Sequence, residues 1–137
     1  ELIQKMGIPK KAFSFVGHVG YFERLKILQR ATVFVNPSFF ELCSLSILEA
    51  MSSGASVVAS NVGGNPEIIE SGKNGILVPA SDHKTLAESI ISLIENENLN
   101  KKIGKEARRT VEKKFSSKKC AEETANVYEK VLNDSLY

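Results

Sequence analysis

Short apolar runs alternate with amphipathic segments along most of the chain. Four such runs, at residues 12–16, 32–36, 55–59 and 75–78, each stop at a glycine, a proline or a polar turn. Strands of a parallel sheet that are covered on both faces have this near-continuous apolar composition. The runs therefore predict four short buried strands.

Helical spacing of apolar residues marks the segments between and after these runs. Pro66 suits the first turn of one helix, and Asp82 is the predicted N-cap of another. The predicted helices are residues 21–30 with Phe22, Leu25 and Leu28 at helical spacing, the segment around Glu49, residues 67–70, a helix after Asp82 with Leu86, Ile90, Leu93 and Ile94 buried, residues 99–114, and residues 117–133.

Strands that alternate with helices predict an α/β fold, with a Rossmann-like parallel sheet flanked by helices on both faces. Ligands of such sheets bind outside the carboxyl ends of the strands. Three predicted loops would gather there, at residues 17–19, 36–44 and 60–65, and they hold the least ordinary residues of the chain.

Composition narrows the class of protein. The chain has 137 residues, which suits one domain, and its net charge of only +2 gives no reason to expect a nucleic-acid partner. No apolar run approaches the ~20 residues that cross a bilayer. Cys43 and Cys120 form neither a disulfide framework nor a metal-binding spacing, so a cytoplasmic location is expected and Cys43 is expected to pack. The chain starts inside a helical turn, which suggests a fragment.

The segment at residues 41–54 carries the clearest chemistry. Glu41 and Glu49 lie eight positions apart, before and inside a short amphipathic helix that Gly54 closes. A carboxylate in the loop, a carboxylate in the helix and the backbone amides between them could contact one polyhydroxylated ligand.

Each of these residues also has an ordinary structural interpretation. Ser46 and Glu49 match a capping box, in which the glutamate only binds the start of the helix. Gly63 and Gly64 suit a tight turn or an amide that faces a ligand. His18 suits a hydrogen-bonded structural role better than a catalytic one, and Glu67 could simply stabilise its helix.

Five motifs in order identify a family resemblance. They are F-V-G-H-V at 15–19, V-F-V-N-P-S at 33–38, E-x(7)-E-A-M-x-x-G at 41–54, V-V-A-S-x-V-G-G-x-P-E-I-I at 57–69 and G-x-N-G-I-L-V-P at 72–79. Together they resemble retaining glycosyltransferases of the GT-B fold, in glycosyltransferase family 4, also called group 1. The likeness runs from residue 1 to about residue 132 and maps onto the C-terminal, donor-binding domain.

The resemblance implies a role for each candidate residue. Glu41 would face the hydroxyls of the donor sugar, and Glu49 would bind the ribose of its nucleotide. The amides of Cys43, Ser44 and Leu45 would face the diphosphate, whereas Gly63 and Gly64 would complete the donor site. The edge formed by Gly17, His18 and Val19 would meet the base. The nucleotide sugar would be a co-substrate, with no further cofactor and no metal.

The sequence departs from the family pattern in two ways. Leu42, Cys43, Ser44 and Leu45 stand where the family commonly has small-Phe-Gly-Leu. The basic residues that neutralise the diphosphate, and the N-terminal domain that binds a saccharide or lipid-linked acceptor, are not found in these 137 residues, so the isolated chain is expected to be inactive. A nucleotide-sugar 2-epimerase relative and a non-catalytic binding or scaffolding module are the alternatives.

The C-terminal third of the chain is rich in lysine and arginine. Nine basic residues occur between positions 101 and 119, against few acidic ones. They could suit peripheral contact with an anionic membrane. A solvated helix face is the competing interpretation, because the charges do not gather into one stripe.

Overall fold

A computed structural model of the chain describes residues 2–134, except for the side chain of Asp134. The described elements are helix α1 (Leu2–Lys5), a 3-10 turn (Lys10–Ala12), helix α2 (Tyr21–Arg30), strand β1 (Val33–Asn36), helix α3 (Leu45–Ser52), strand β2 (Ser56–Ser60), helix α4 (Asn65–Ile68), strand β3 (Ile76–Val78) and helices α5 (His83–Glu95), α6 (Glu97–Lys114) and α7 (Ser117–Asp134).

The described strands form one parallel sheet in the order β1-β2-β3. Val35 pairs with Val58, and Ala59 pairs with Leu77, so β2 lies in the centre. Asn36 and Ser60, the last residues of β1 and β2, therefore lie at the same edge of the sheet. This confirms the predicted α/β fold and brings the loops that follow both strands together.

Strand β2 is buried on both of its faces. Val57 and Ala59 pack with residues such as Ile47 and Met51 of α3. Val58, whose side chain points the other way, belongs to a second cluster with Leu93 of α5. Because side chains alternate across a strand, these two clusters lie on opposite faces of the sheet. Helices therefore cover the sheet on both faces.

One predicted strand does not form. The β-rich run at residues 12–16 lies outside the sheet, and its first residue belongs to the 3-10 turn. Phe15 is 81% exposed and Val16 is exposed as well. The prediction was wrong because a strand needs a hydrogen-bonded neighbour, which the composition of the run by itself does not supply.

Three details of the predicted helices also need correction. Phe22 is 78% exposed, although Leu28 on the same helix is buried. Ile94 is exposed, whereas Leu93 is fully buried and Leu86 and Ile90 pack against it as predicted. On each of these helices, the buried face is therefore narrower than the full set of apolar residues at helical spacing. Helix α4 begins before Pro66 and ends at Ile68, so it does not reach the predicted end at residue 70.

Five of the nine basic residues between positions 101 and 119 pair with acidic ones in the described chain. Arg108 contacts Glu112 and Arg109 contacts Glu106, in each case one helical turn away. Lys101, Lys118 and Lys119 have similar partners. This arrangement favours a solvated helix face. Among residues 2–134, no helix is both long and apolar enough to cross a bilayer.

Asp82 caps α5 as predicted. Its carboxylate accepts hydrogen bonds from the Thr85 backbone N–H at 3.0 Å and from the Thr85 hydroxyl at 2.6 Å. These bonds favour the ionised form and hold the pKa of Asp82 below its ordinary value of 3.8. The cap therefore stabilises the fold above that value and loses its effect as the pH falls through the lower pKa of the folded state.

We expect the Asp82→Asn variant to be less stable than the parent near neutral pH, and the difference to shrink below about pH 4. The asparagine can still cap but does not titrate. Thermal unfolding followed by circular dichroism between about pH 7 and pH 3 measures this. Glu95→Gln, on the same helix, is the control, since its side chain makes no hydrogen bond in the described chain. A difference for Asp82→Asn that stays constant with pH would contradict the prediction.

Candidate functional site

The loop after β1 delivers Glu41 and then begins α3. Ser44 is the N-cap, and its hydroxyl accepts a hydrogen bond from the Ile47 N–H at 3.4 Å. The Asn36 side-chain amide donates to the same hydroxyl at 3.1 Å, and both residues are buried. The end of the strand and the start of the helix are thus joined by one buried polar contact, which gives the loop between them fixed ends.

Backbone N–H groups at the start of α3 have no acceptor among residues 2–134. Within the described chain, the N–H groups of Cys43, Ser44 and Leu45 have no hydrogen-bond acceptor. Unpaired donors at a helix N-terminus, together with the helix dipole, favour an anion such as a phosphate. Cys43 and Leu45 are exposed, so the expectation that Cys43 packs was wrong.

Glu49 lies in the second turn of α3 and binds an arginine from another helix. Arg24 of α2 donates from Nη2 to Oε1 of Glu49 at 2.8 Å. The capping-box interpretation was wrong, because Ser44 and not Ser46 is the N-cap, so Glu49 lies beyond the reach of the helix start. The Glu49 side chain is 29% exposed to solvent.

Gly63 and Gly64 form a turn, here called the diglycine turn, that lies against the loop of Glu41. A Cβ atom on Gly63 would be 1.7 Å from the Glu41 carbonyl oxygen, and one on Gly64 would be 1.9 Å from that of Leu42. Gly63 also has a φ of +50°, which favours glycine. The Gly64 N–H donates to the Glu41 carbonyl at 3.0 Å, so the turn fixes the loop and this amide is not available to a ligand.

Gly17, His18 and Val19 lie between the 3-10 turn and α2. Gly17 has a φ of +63°, His18 is exposed and Val19 is half-buried. In the described chain, no hydrogen bond joins these residues to the loop of Glu41 or to α3. The segment leads directly into α2, which contacts α3 through Arg24 and Glu49.

The surroundings of Glu41 are apolar and open. Phe39, Phe40, Leu42 and Leu45 are all mostly exposed beside it. In residues 2–134, no group of three His, Cys, Asp or Glu side chains is arranged to hold a metal ion. The chemical capacity of the site lies in unpaired N–H groups for an anion and in two carboxylates, Glu41 before the helix and Glu49 inside it, that can accept hydrogen bonds from hydroxyls.

Two contributors to this site were not identified from the sequence. Asn36 ends an apolar strand with a polar residue, and Arg24 precedes buried Leu28 by four residues, so it lies on the inward face of α2. Those positions were the available signals. Their partners, Ser44 and Glu49, could not be deduced from spacing because the contacts depend on how separate elements pack.

Comparison with known proteins assigns the family. Residues 1–110 match the family described as glycosyl transferases group 1. A relative, alpha-maltose-1-phosphate synthase from Mycolicibacterium smegmatis, is 38% identical over 112 residues, which cover 77% of this chain and 29% of the synthase. The chain belongs to the group 1 glycosyl transferases, and it spans less than a third of the length of that relative.

Solved structures of GT-B glycosyltransferases have the same architecture. Sucrose-phosphate synthase from Thermosynechococcus elongatus superimposes with a TM-score of 0.89 at 28% identity, covering 97% of this chain and 33% of the synthase. TarM from S. aureus, in a structure that contains UDP, gives a TM-score of 0.80 at 26% identity and covers 93% of this chain and 25% of TarM. The predicted resemblance to the C-terminal domain of the GT-B fold is confirmed.

We expect Gly64→Ala to destabilise the fold by about 1–3 kcal/mol, because the added methyl group must displace the backbone of the Glu41 loop. Urea unfolding gives the free energy, and amide chemical shifts of residues 41–43 report the displacement. Gly20→Ala is the matched control, since Gly20 has a φ of −65° and nothing within 4 Å of the added atom. Equal stability of both variants, with unchanged shifts near Glu41, would show that the close contact is not important.

Proposed function

We propose that the chain is the donor-binding part of a glycosyltransferase that transfers a sugar from a nucleoside diphosphate sugar with retention of anomeric configuration. The observation that supports this most is the set of unpaired N–H groups at Cys43, Ser44 and Leu45, which follow Glu41 in the loop and precede Glu49 in α3. Membership of the group 1 glycosyl transferases supports the same reading of this arrangement.

Each part of the site would bind one part of the donor. The diphosphate lies at the start of α3, where the amides and the helix dipole favour negative charge. Glu49 accepts hydrogen bonds from the ribose hydroxyls, and Glu41 accepts them from the sugar. The base meets the edge formed by Gly17, His18 and Val19. Gly63 shapes the loop that holds Glu41, and its neighbour Gly64 binds that loop directly.

The chemistry that these groups would support is loss of a diphosphate leaving group. Negative charge grows on the diphosphate as its bond to the anomeric carbon breaks and the oxygen of the acceptor hydroxyl bonds to that carbon on the same face, while the departing diphosphate takes the hydroxyl proton. Fixed N–H donors stabilise this charge without reorganising, which lowers the barrier. The nucleotide sugar is a co-substrate in this scheme, which uses no resident cofactor or metal.

Acceptor binding would fall to another part of the protein. The acceptor would be a saccharide or a lipid-linked saccharide, bound by an N-terminal domain such as GT-B enzymes have. Peripheral contact with a membrane from the cytoplasmic side stays a prediction that the paired charges on α6 and α7 do not favour. Activity is therefore expected only when this chain is joined to an acceptor domain.

We expect Glu49→Gln to weaken nucleotide binding by about 10-fold or more, because a charge-assisted hydrogen bond to the ribose is worth ~1.5–3 kcal/mol. Titration of the chain with UDP, GDP and ADP by chemical-shift mapping or calorimetry measures the dissociation constant. UDP is the first choice because the TarM structure contains it.

Glu112→Gln is the matched control for this variant. Glu112 also pairs with an arginine, Arg108, at 2.8 Å, but on the exposed surface of α6. The proposal requires that Glu112→Gln binds nucleotide like the parent. A folded Glu49→Gln variant with parental affinity would exclude ribose recognition by Glu49.

We expect Glu41→Ala in the full-length protein to lower turnover by about 100-fold while changing the affinity for free nucleoside diphosphate by less than about threefold. The reason is that Glu41 is assigned to the sugar, which free nucleotide lacks. Proton NMR of the product at early times reports the anomeric configuration. A normal rate would remove Glu41 from the reaction, and an inverted product would refute retention.

A further inference from the structure

The ion pair between Arg24 and Glu49 differs from the other ion pairs of the described chain. It joins two helices across 25 positions of sequence, with the nitrogen and oxygen 2.8 Å apart. Every other ion pair in residues 2–134 joins residues three or four positions apart, as Arg108 and Glu112 do. Such local pairs form on any helix surface, whereas this one depends on the packing of α2 against α3.

Arg24 is held on two sides and is not fully satisfied. The centre of its guanidinium lies 5.8 Å from the centre of the Tyr21 ring, and Nη2 binds Glu49. The Nε atom is buried and has no acceptor among the described residues. A buried donor without a partner is unfavourable, so this position of the guanidinium leaves one of the hydrogen bonds of Arg24 unmade. It is the position that places Nη2 on Glu49.

The pairing leaves part of the Glu49 carboxylate free. Arg24 takes Oε1 through one nitrogen, and no described residue binds Oε2 through its side chain. An ionised carboxylate can accept about four hydrogen bonds, so it has capacity left for two hydroxyls. The contact therefore restrains the rotation of the glutamate without blocking it.

We propose that Arg24 is a positioning residue that holds the Glu49 carboxylate ready for the ribose diol of a nucleotide. This inference rests on the proposed function, because it needs Glu49 to bind ribose. Since Val19 is separated from α2 only by its N-cap Gly20, the same contact connects the base edge to the ribose carboxylate. The two halves of a nucleoside then meet elements that are joined through Arg24.

The test compares a nucleotide with its counterpart that lacks the ribose diol. The probes are the diphosphate among UDP, GDP and ADP that binds the parent most tightly, and its 2′,3′-dideoxy form. We expect Arg24→Gln to weaken binding of the first by about three- to tenfold, and to leave binding of the dideoxy form unchanged within about twofold. A residue that merely stabilised the fold would affect both probes equally.

Three further variants sharpen this test. Arg24→Lys keeps a cation near Glu49 and should recover part of the lost affinity. Arg30→Gln removes an arginine that lies on the same helix and makes no ion pair in the described chain, so it should bind both probes like the parent. Combining Arg24→Gln with Glu49→Gln should cost no more than Glu49→Gln alone, because Arg24 acts through that carboxylate. Thermal unfolding confirms that each variant is folded.

The outcomes separate this inference from the proposed function. If the parent binds none of the three diphosphates, the proposed function fails and the role of Arg24 fails with it. If the parent binds and Glu49→Gln weakens binding while Arg24→Gln does not, only the role of Arg24 is refuted. Tighter binding by Arg24→Gln would show that Arg24 competes with ribose for Glu49. An equal loss of affinity for the dideoxy probe would show that Arg24 does not act through recognition of the ribose diol.

Discussion

The backbone of the Glu41 loop lies directly against the diglycine turn, and the position of the candidate site depends on this contact. The Gly64 N–H binds the Glu41 carbonyl, and neither glycine has a side chain that would separate the two backbones. Parallel pairing of β1 and β2 brings the two loops to the same edge of the sheet. The glycines then allow an approach that any larger residue would prevent, which holds Glu41 in place through its own main chain.

The departure from the family pattern at Ser44 has a structural explanation. A glycine is common there in the family, and its loss would be expected to restrict the approach of a phosphate. Ser44 instead turns its hydroxyl inward, where it caps α3 and accepts a hydrogen bond from buried Asn36. The Ser44 side chain therefore points away from the unpaired backbone N–H groups at the start of α3, which keep no acceptor among the described residues. Asn36 and Ser44 are therefore best understood as a pair.

Periodicity and turn residues predicted most of the fold. The runs at 32–36, 55–59 and 75–78 are strands within a residue or so, because their apolar composition reflects burial, which is complete in β2 and partial in the edge strands β1 and β3. The helices around Leu28 and Leu93 follow from the same argument. The strand predicted at 12–16 does not form, because β-propensity does not show whether a neighbouring strand is available for pairing. Phe22, Ile94 and Cys43 are exposed although burial was expected, because many apolar residues of a folded protein lie at its surface.

The sequence by itself determined the family, the order of strands and helices, and the two carboxylates that flank a helix start, because these properties reside in local composition and in motifs along the chain. Only the tertiary structure decided that Ser44 rather than Ser46 caps α3, that Gly64 binds the Glu41 loop, and that Arg24 reaches Glu49. Strand register and helix packing set the distance between the residues of each contact. The spacing of these residues in the sequence therefore does not predict the contact.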